Sequence, residues 1–168
     1  IKSPSDISPR QMAVVLENAE LHAERLREER LRQEMALARE IQQGFLTTIF
    51  PDPSEAGYEL FARVIPAREV SGDLYDFFQL ADGRLAFFLG DVSGKGMPAA
   101  LFMIAVRILG RHLGPSSNGA ADFLQKLNLA LASENPTNLF VTMLYGVYDR
   151  KDGSVLLACG GPPHPLLL

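Results

Sequence analysis

Three aspartates and one glycine-rich turn are the residues of this chain whose types and spacing could do chemistry. Asp73 and Asp76 stand in "EVSGDLYDFF" and Asp91 in "LGDVSGKGMPAALFM". In the second stretch Gly90, Gly94, Gly96 and Lys95 lie between an apolar run and a helical pattern. A nucleotide-cradling loop, a metal site and a plain tight turn all compete for it. The nucleotide loop needs G-x-x-x-x-G-K-[ST]. Gly94 and Lys95 supply the GK, but Leu89 stands where the first glycine belongs and Gly96 where the hydroxyl belongs. A plain turn needs only glycine's tolerance of positive φ. Asp91 argues against that, because it closes the apolar run "RLAFFLG". A carboxylate beside a buried strand must be paired, hydrogen-bonded or bound to a cation.

The neighbouring pattern strengthens the cation alternative. "DLYDFFQL" and "RLAFFLGDV" flank Asp82-Gly83, the signature of a hairpin turn. Asp73 precedes that turn by about nine residues and Asp91 follows it by eight, so antiparallel pairing brings them together. Two carboxylates that close are unfavourable unless a metal or a proton sits between them. Hard oxygen ligands without His or Cys suit Mg²⁺ or Mn²⁺. Gly72 and Gly90 are expected to leave room for metal waters. Asp76, three residues after Asp73, points to the opposite face and is expected to be solvated or locally hydrogen-bonded. Ser93 can cap the following helix but is expected to be structural, and Cys159 is expected to be a small buried residue. His22, His112 and His164 share no metal-ligand spacing.

The elements that must position these residues fall into two compositions. Ser8-Pro9 is a plausible helix start, and no proline or glycine follows until Gly44. The helix expected over residues 9–46 carries a 4-3-4-3 apolar seam at Met12, Leu16, Ala19, Ala23 and Leu26. A second seam starts at Leu31 and runs through Met35, Ala38 and Phe45, so the phase slips near Arg27–Arg30. A solvated helix with an imperfect stripe and a parallel dimer helix acting as a signalling linker both fit. Ion pairs such as Glu28 with Arg32 add only about 0.3–0.5 kcal/mol each. "PDPSEAG" ends the helical region as a turn. Beyond it come a partly alternating strand in "YELFARV", the Asp82-Gly83 hairpin, helices in "MPAALFMIAVRILGRHLG" and "NGAADFLQKLNLALASEN", and a second hairpin turning at Asp152-Gly153. That order predicts α+β, an antiparallel sheet covered by helices. The domains expected are a helical, coiled-coil-like linker over 1–50 and a second domain over 51–168. The last strand has no evident partner downstream, and an open edge there suggests that more chain belongs to the domain.

The whole chain excludes several classes. Its 168 residues are 47% hydrophobic with a net charge of −4, and no basic stripe with interleaved aromatics suggests nucleic acid. A single cysteine allows no intrachain disulfide and suits a reducing, cytoplasmic compartment. The longest charge-free apolar run, between Lys95 and Arg107, falls short of the roughly 18 residues of a membrane span. No signal peptide is evident.

The motifs "AREIQQGFL", "PAREVSGDLYDFF", "GDVSGKGMPAALFM" and "NLFVTMLYGVYD", in that order over residues 38–148, resemble the PP2C-type serine phosphatases of the bacterial SpoIIE/RsbU class. The resemblance implies a PP2C-like antiparallel β-sandwich flanked by helices, preceded here by a long N-terminal helix. It implies a metal-dependent hydrolase of phosphoserine or phosphothreonine on a regulatory protein, often an anti-sigma-factor antagonist. Two Mn²⁺ or Mg²⁺ ions serve the complete domain, stabilising charge on the phosphoryl oxygens. Carried over, Asp91 bridges both metals, the Val92 backbone carbonyl adds a ligand, and Asp73 is a further acidic ligand, direct or through water. Arg68 fits the phosphate-contacting arginine. A homodimer through the N-terminal helix is the expected assembly. Two departures matter. "ACGGPPHPLLL" replaces the family's Ala-Gly-His-x-Pro segment, with Gly161 in the histidine's place and His164 later. The family's C-terminal aspartates are not in this chain, so about half the metal shell is expected, with weak metal binding and poor turnover by these residues alone. A degenerate phosphatase fold that binds a phosphoprotein or sigma-factor regulator is the alternative.

Overall fold

A computed structural model describes residues 8–66, 69–133, 135–161 and 165–166. The chain divides into two compact units between Ala38 and Arg39. Helix α1 runs over Pro9–Phe45. It opens on a reciprocal cap, in which Gln11 N–H donates to Ser8 Oγ at 3.3 Å and Ser8 N–H donates to Gln11 Oε1 at 3.0 Å. Within the first unit both faces of α1 are open. Met12, Leu16, Leu26 and Leu31 are all exposed. Glu28 pairs with Arg32 at 4.0 Å, and Arg30 with Glu34 at 3.2 Å.

The second unit is built on one antiparallel meander in the order β1-β2-β3-β4: β1 (Asp73–Gln79), β2 (Leu85–Val92), β3 (Val141–Tyr148) and β4 (Val155–Gly160). Gly83 takes φ +86° in the first hairpin turn and Gly153 φ +72° in the last, the left-handed geometry that the Asp-Gly pairs favour. Between β2 and β3 the chain crosses through α3 (Met97–Leu113), a single 3₁₀ turn, and α4 (Ala120–Ser133). Ala99, Met103 and Val106 on α3 and Ala120, Phe123 and Leu127 on α4 recur at helical spacing. They bury one face of the sheet with Leu74, Phe88, Met143 and Tyr145. The Phe123 and Tyr145 rings stack at 3.8 Å. This is the α+β arrangement expected, with one sheet of a PP2C-like sandwich and its helical layer. Met97–Ser116 is long and apolar enough to cross a membrane. It serves as the core helix, with Met103 and Val106 fully buried against the sheet.

Three expectations change. "YELFARV" forms no strand: exposure alternates from Tyr58 to Pro66, but among the described residues no partner strand completes a ladder. "PDPSEAG" contains a one-turn helix, α2 (Pro53–Ala56), capped by Asp52 and closed by Gly57 at φ +74°. Cys159 is exposed on β4, where its thiol bonds the Gly161 carbonyl. The face of the sheet opposite the helices carries Tyr75, Phe77, Phe87 and Leu89. The extended residues Leu60–Ile65 pass over it and leave a cleft of about 530 Å³.

Candidate metal centre at the end of the first hairpin

Asp73 and Asp91 are register partners at the open end of the β1–β2 ladder. Alternation along the strands puts both on the face away from the helices, where they line the end of the cleft. Asp91 is exposed, and partial desolvation, then the nearby Asp73 charge, raises its carboxyl from the ordinary carboxylate value. Ser71 holds its partner: Ser71 Oγ donates to Asp73 Oδ2 at 2.8 Å, and Asp73 N–H donates back to Ser71 Oγ at 3.0 Å. Ser71 is itself gripped by Gln42 from the last turn of α1. Gln42 Nε2 donates to Ser71 O at 2.7 Å, and Ser71 N–H donates to Gln42 Oε1 at 3.1 Å. Gln42 is the buried residue of α1.

The turn after Asp91 shapes the rest of the site. Val92 N–H donates to Gly72 O at 3.3 Å. A Cβ on Gly72 would stand 2.8 Å from the Val92 carbonyl oxygen, so glycine there keeps the space beside that oxygen clear. Gly90 has a different role from the one expected. It faces the helices, where a Cβ would meet Val141 and Leu74, so it admits core packing rather than metal waters. Gly94 and Gly96 take φ +91° and +71°, which makes the sharp strand-to-helix turn. Lys95 is exposed on it. Ser93 does not cap α3; Gly96 occupies that position with no side-chain cap bond. Ser93 Oγ instead accepts the Phe140 N–H at 2.9 Å.

A hard divalent cation fits what these residues offer. Two carboxylates meet at one register position, one of them with its charge disfavoured, beside a carbonyl kept accessible by a glycine. Among the described residues no three His, Cys, Asp or Glu side chains converge on one point. Arg68 and His164 lie outside the described residues.

Asp76 occupies the opposite face, as alternation requires, but it is 1% exposed rather than solvated. Arg111 grips it with Nε to Oδ2 at 2.7 Å and a terminal nitrogen to Oδ1 at 2.9 Å. Arg107 Nε approaches Oδ2 at 3.2 Å. The Thr47 hydroxyl donates to Oδ1 and receives Arg107 at 3.1 Å. Tyr75 OH donates to the Thr47 carbonyl at 2.8 Å. Burial pushes the Arg107 guanidinium down, whereas the Asp76 hydrogen bond pushes Arg111 up. The cluster ties α3 and the segment after α1 to β1. Gln42, Thr47, Arg107 and Arg111 are the residues that sequence reasoning missed. Arg107 and Arg111, one turn apart in an otherwise apolar helix, were the available signal for a buried acid.

Residues 81–168, just over half of the chain, match the family Stage II sporulation protein E (SpoIIE). Protein IcfG of Synechocystis is 43% identical over 151 residues, covering 74% of this chain and 24% of that protein. Phosphoserine phosphatase RsbU of Bacillus subtilis is 28% identical over 134 residues, covering 80% of this chain and 39% of that protein. The crystal structure of the RsbU and RsbW domains of Rv1364c from Mycobacterium tuberculosis aligns with TM-score 0.43 and 26% identity, over 51% of this chain and 23% of that one. The chain therefore spans less than half the length of the curated relatives it matches. It belongs to the SpoIIE family, as a PP2C-like phosphatase domain of the SpoIIE/RsbU type.

Proposed function

We propose that this domain serves a divalent-metal-dependent phosphatase acting on phosphoserine or phosphothreonine of a regulatory protein. The observation that carries the proposal is the Asp73–Asp91 register pair beside the cleared Val92 carbonyl. The relative named a phosphoserine phosphatase supports the reaction class. In this reading Asp91 and Asp73 hold Mn²⁺ or Mg²⁺ through their carboxylates, and Val92 does so through its backbone oxygen. When bound, such a cation supplies positive charge opposite the phosphoryl oxygens and Lewis acidity at the site. Ser71 keeps the Asp73 carboxylate turned toward Asp91. Arg68, five residues before Asp73, is assigned to the substrate phosphate by its place in the motif. The regulatory protein is proposed to be an anti-sigma-factor antagonist in a cytoplasmic pathway, and α1 to pair with a second copy through its exposed apolar seam.

A binding module that retains phosphoprotein without hydrolysing it is the second reading, favoured by the partial acidic shell among the described residues. Mn²⁺-dependent release of phosphate from a phosphoserine protein by the full-length enzyme, with Asp91→Asn alongside, separates the two. The phosphatase reading expects a rate falling at least about a hundredfold in the variant, the scale at which loss of a charge-stabilising group acts. An unchanged rate removes Asp91 from the site, and retention of phosphoprotein without release supports the binding module.

A further inference from the structure

We infer that Ser93, acting with the main chain of Phe140, is a positioning residue that aims the Val92 carbonyl; this rests on the metal site proposed above. The Val92 carbonyl and the Ser93 N–H belong to one planar, trans peptide unit, so fixing one fixes the other. Ser93 N–H donates to the Phe140 carbonyl at 2.8 Å, and Phe140 N–H donates back to Ser93 Oγ at 2.9 Å. These reciprocal bonds close a ring between the turn and the start of β3, across 47 residues of sequence. In a trans peptide the carbonyl points away from its N–H, hence away from Phe140. The Gly72 position lies on that side, where an added Cβ would come within 2.8 Å of the Val92 oxygen. The residue before the unit is also held, by Val92 N–H on Gly72 O at 3.3 Å. Immediately after it the backbone passes through Gly94 and Gly96, both at positive φ and the freest residues of the turn. Ser93 is thus the last residue held by these bonds before the two glycines, and its hydroxyl accepts from Phe140 rather than capping α3.

Mn²⁺ binding by the full-length protein, followed by the electron paramagnetic resonance of free Mn²⁺, tests this with Ser93→Ala, Ser93→Thr and Asp91→Asn. Ser93→Ala is expected to weaken Mn²⁺ binding roughly tenfold, the scale of a lost partner behind a metal ligand. Its melting temperature without metal is expected to stay near the parent's, and Ser93→Thr, which keeps the hydroxyl, to restore affinity. Parent-like affinity in Ser93→Ala, with loss in Asp91→Asn, overturns the inference and leaves the metal site standing. Melting temperature and affinity falling together without rescue by threonine overturns it in favour of a general packing role. Parent-like affinity in Asp91→Asn removes the metal site itself and the inference with it.

Discussion

At the residue scale, the site depends on two like charges being held together. Asp73 and Asp91 occupy one register position, and Asp91 is pushed up by partial desolvation and by its neighbour's charge. A bound cation reverses that penalty, so the proximity is the expected apo state of a metal site. Gly72 is the most sensitive small residue here. Gly72→Ala places a methyl 2.8 Å from the Val92 oxygen, closer than normal contact. The variant is expected to fold and to bind Mn²⁺ at least about tenfold more weakly, a shift of about 1.4 kcal/mol. Calorimetric titration of parent and variant with Mn²⁺ checks it, and equal affinities would show that the Val92 oxygen is not a ligand.

At the element scale, β1 is held at its start and within it by side chains remote in sequence. Gln42 fixes Ser71 ahead of the strand, and Arg107, Arg111 and Thr47 converge on Asp76 within it. Removing one partner of a buried ionic cluster leaves the others uncompensated. Asp76→Ala is therefore expected to cost about 3 kcal/mol, the low end for buried pairs because Arg111 keeps access to water. Urea denaturation of parent and variant measures it, and a loss below about 1 kcal/mol would place the cluster among ordinary surface pairs. Much of the element plan was legible in the sequence: both Asp-Gly hairpins, both core helices and the Asp73–Asp91 pairing follow from turn chemistry and periodicity. The Asp76 cluster was not, because its partners are 29 to 35 residues away and alternation fixes only a face, not a neighbour. "YELFARV" carries the alternation of a strand, yet a strand also needs a hydrogen-bonding partner, which no local pattern specifies. Ser93 is structural, as expected, but its partner is the distant Phe140 N–H rather than the helix start, which no local pattern specifies.

At the scale of the whole molecule, a helix with exposed apolar residues precedes a sheet that carries the Asp73–Asp91 register pair. Pairing of α1 with a second copy is expected to make the protein dimeric, and Leu16→Glu, on the first seam, to shift it toward monomer. Sedimentation velocity checks both, and a parent that stays monomeric at high concentration contradicts the pairing. In the proposed function metal binding and reaction chemistry meet at one point of the second unit, and that point can be located directly. Crystals of the full-length protein soaked in Mn²⁺ can be measured at a wavelength where manganese scatters anomalously. An anomalous peak is expected within coordination distance of the Asp73 and Asp91 carboxylates and the Val92 carbonyl. A peak only elsewhere, from a protein whose hydrolysis of phosphoserine requires Mn²⁺, would contradict the proposed site.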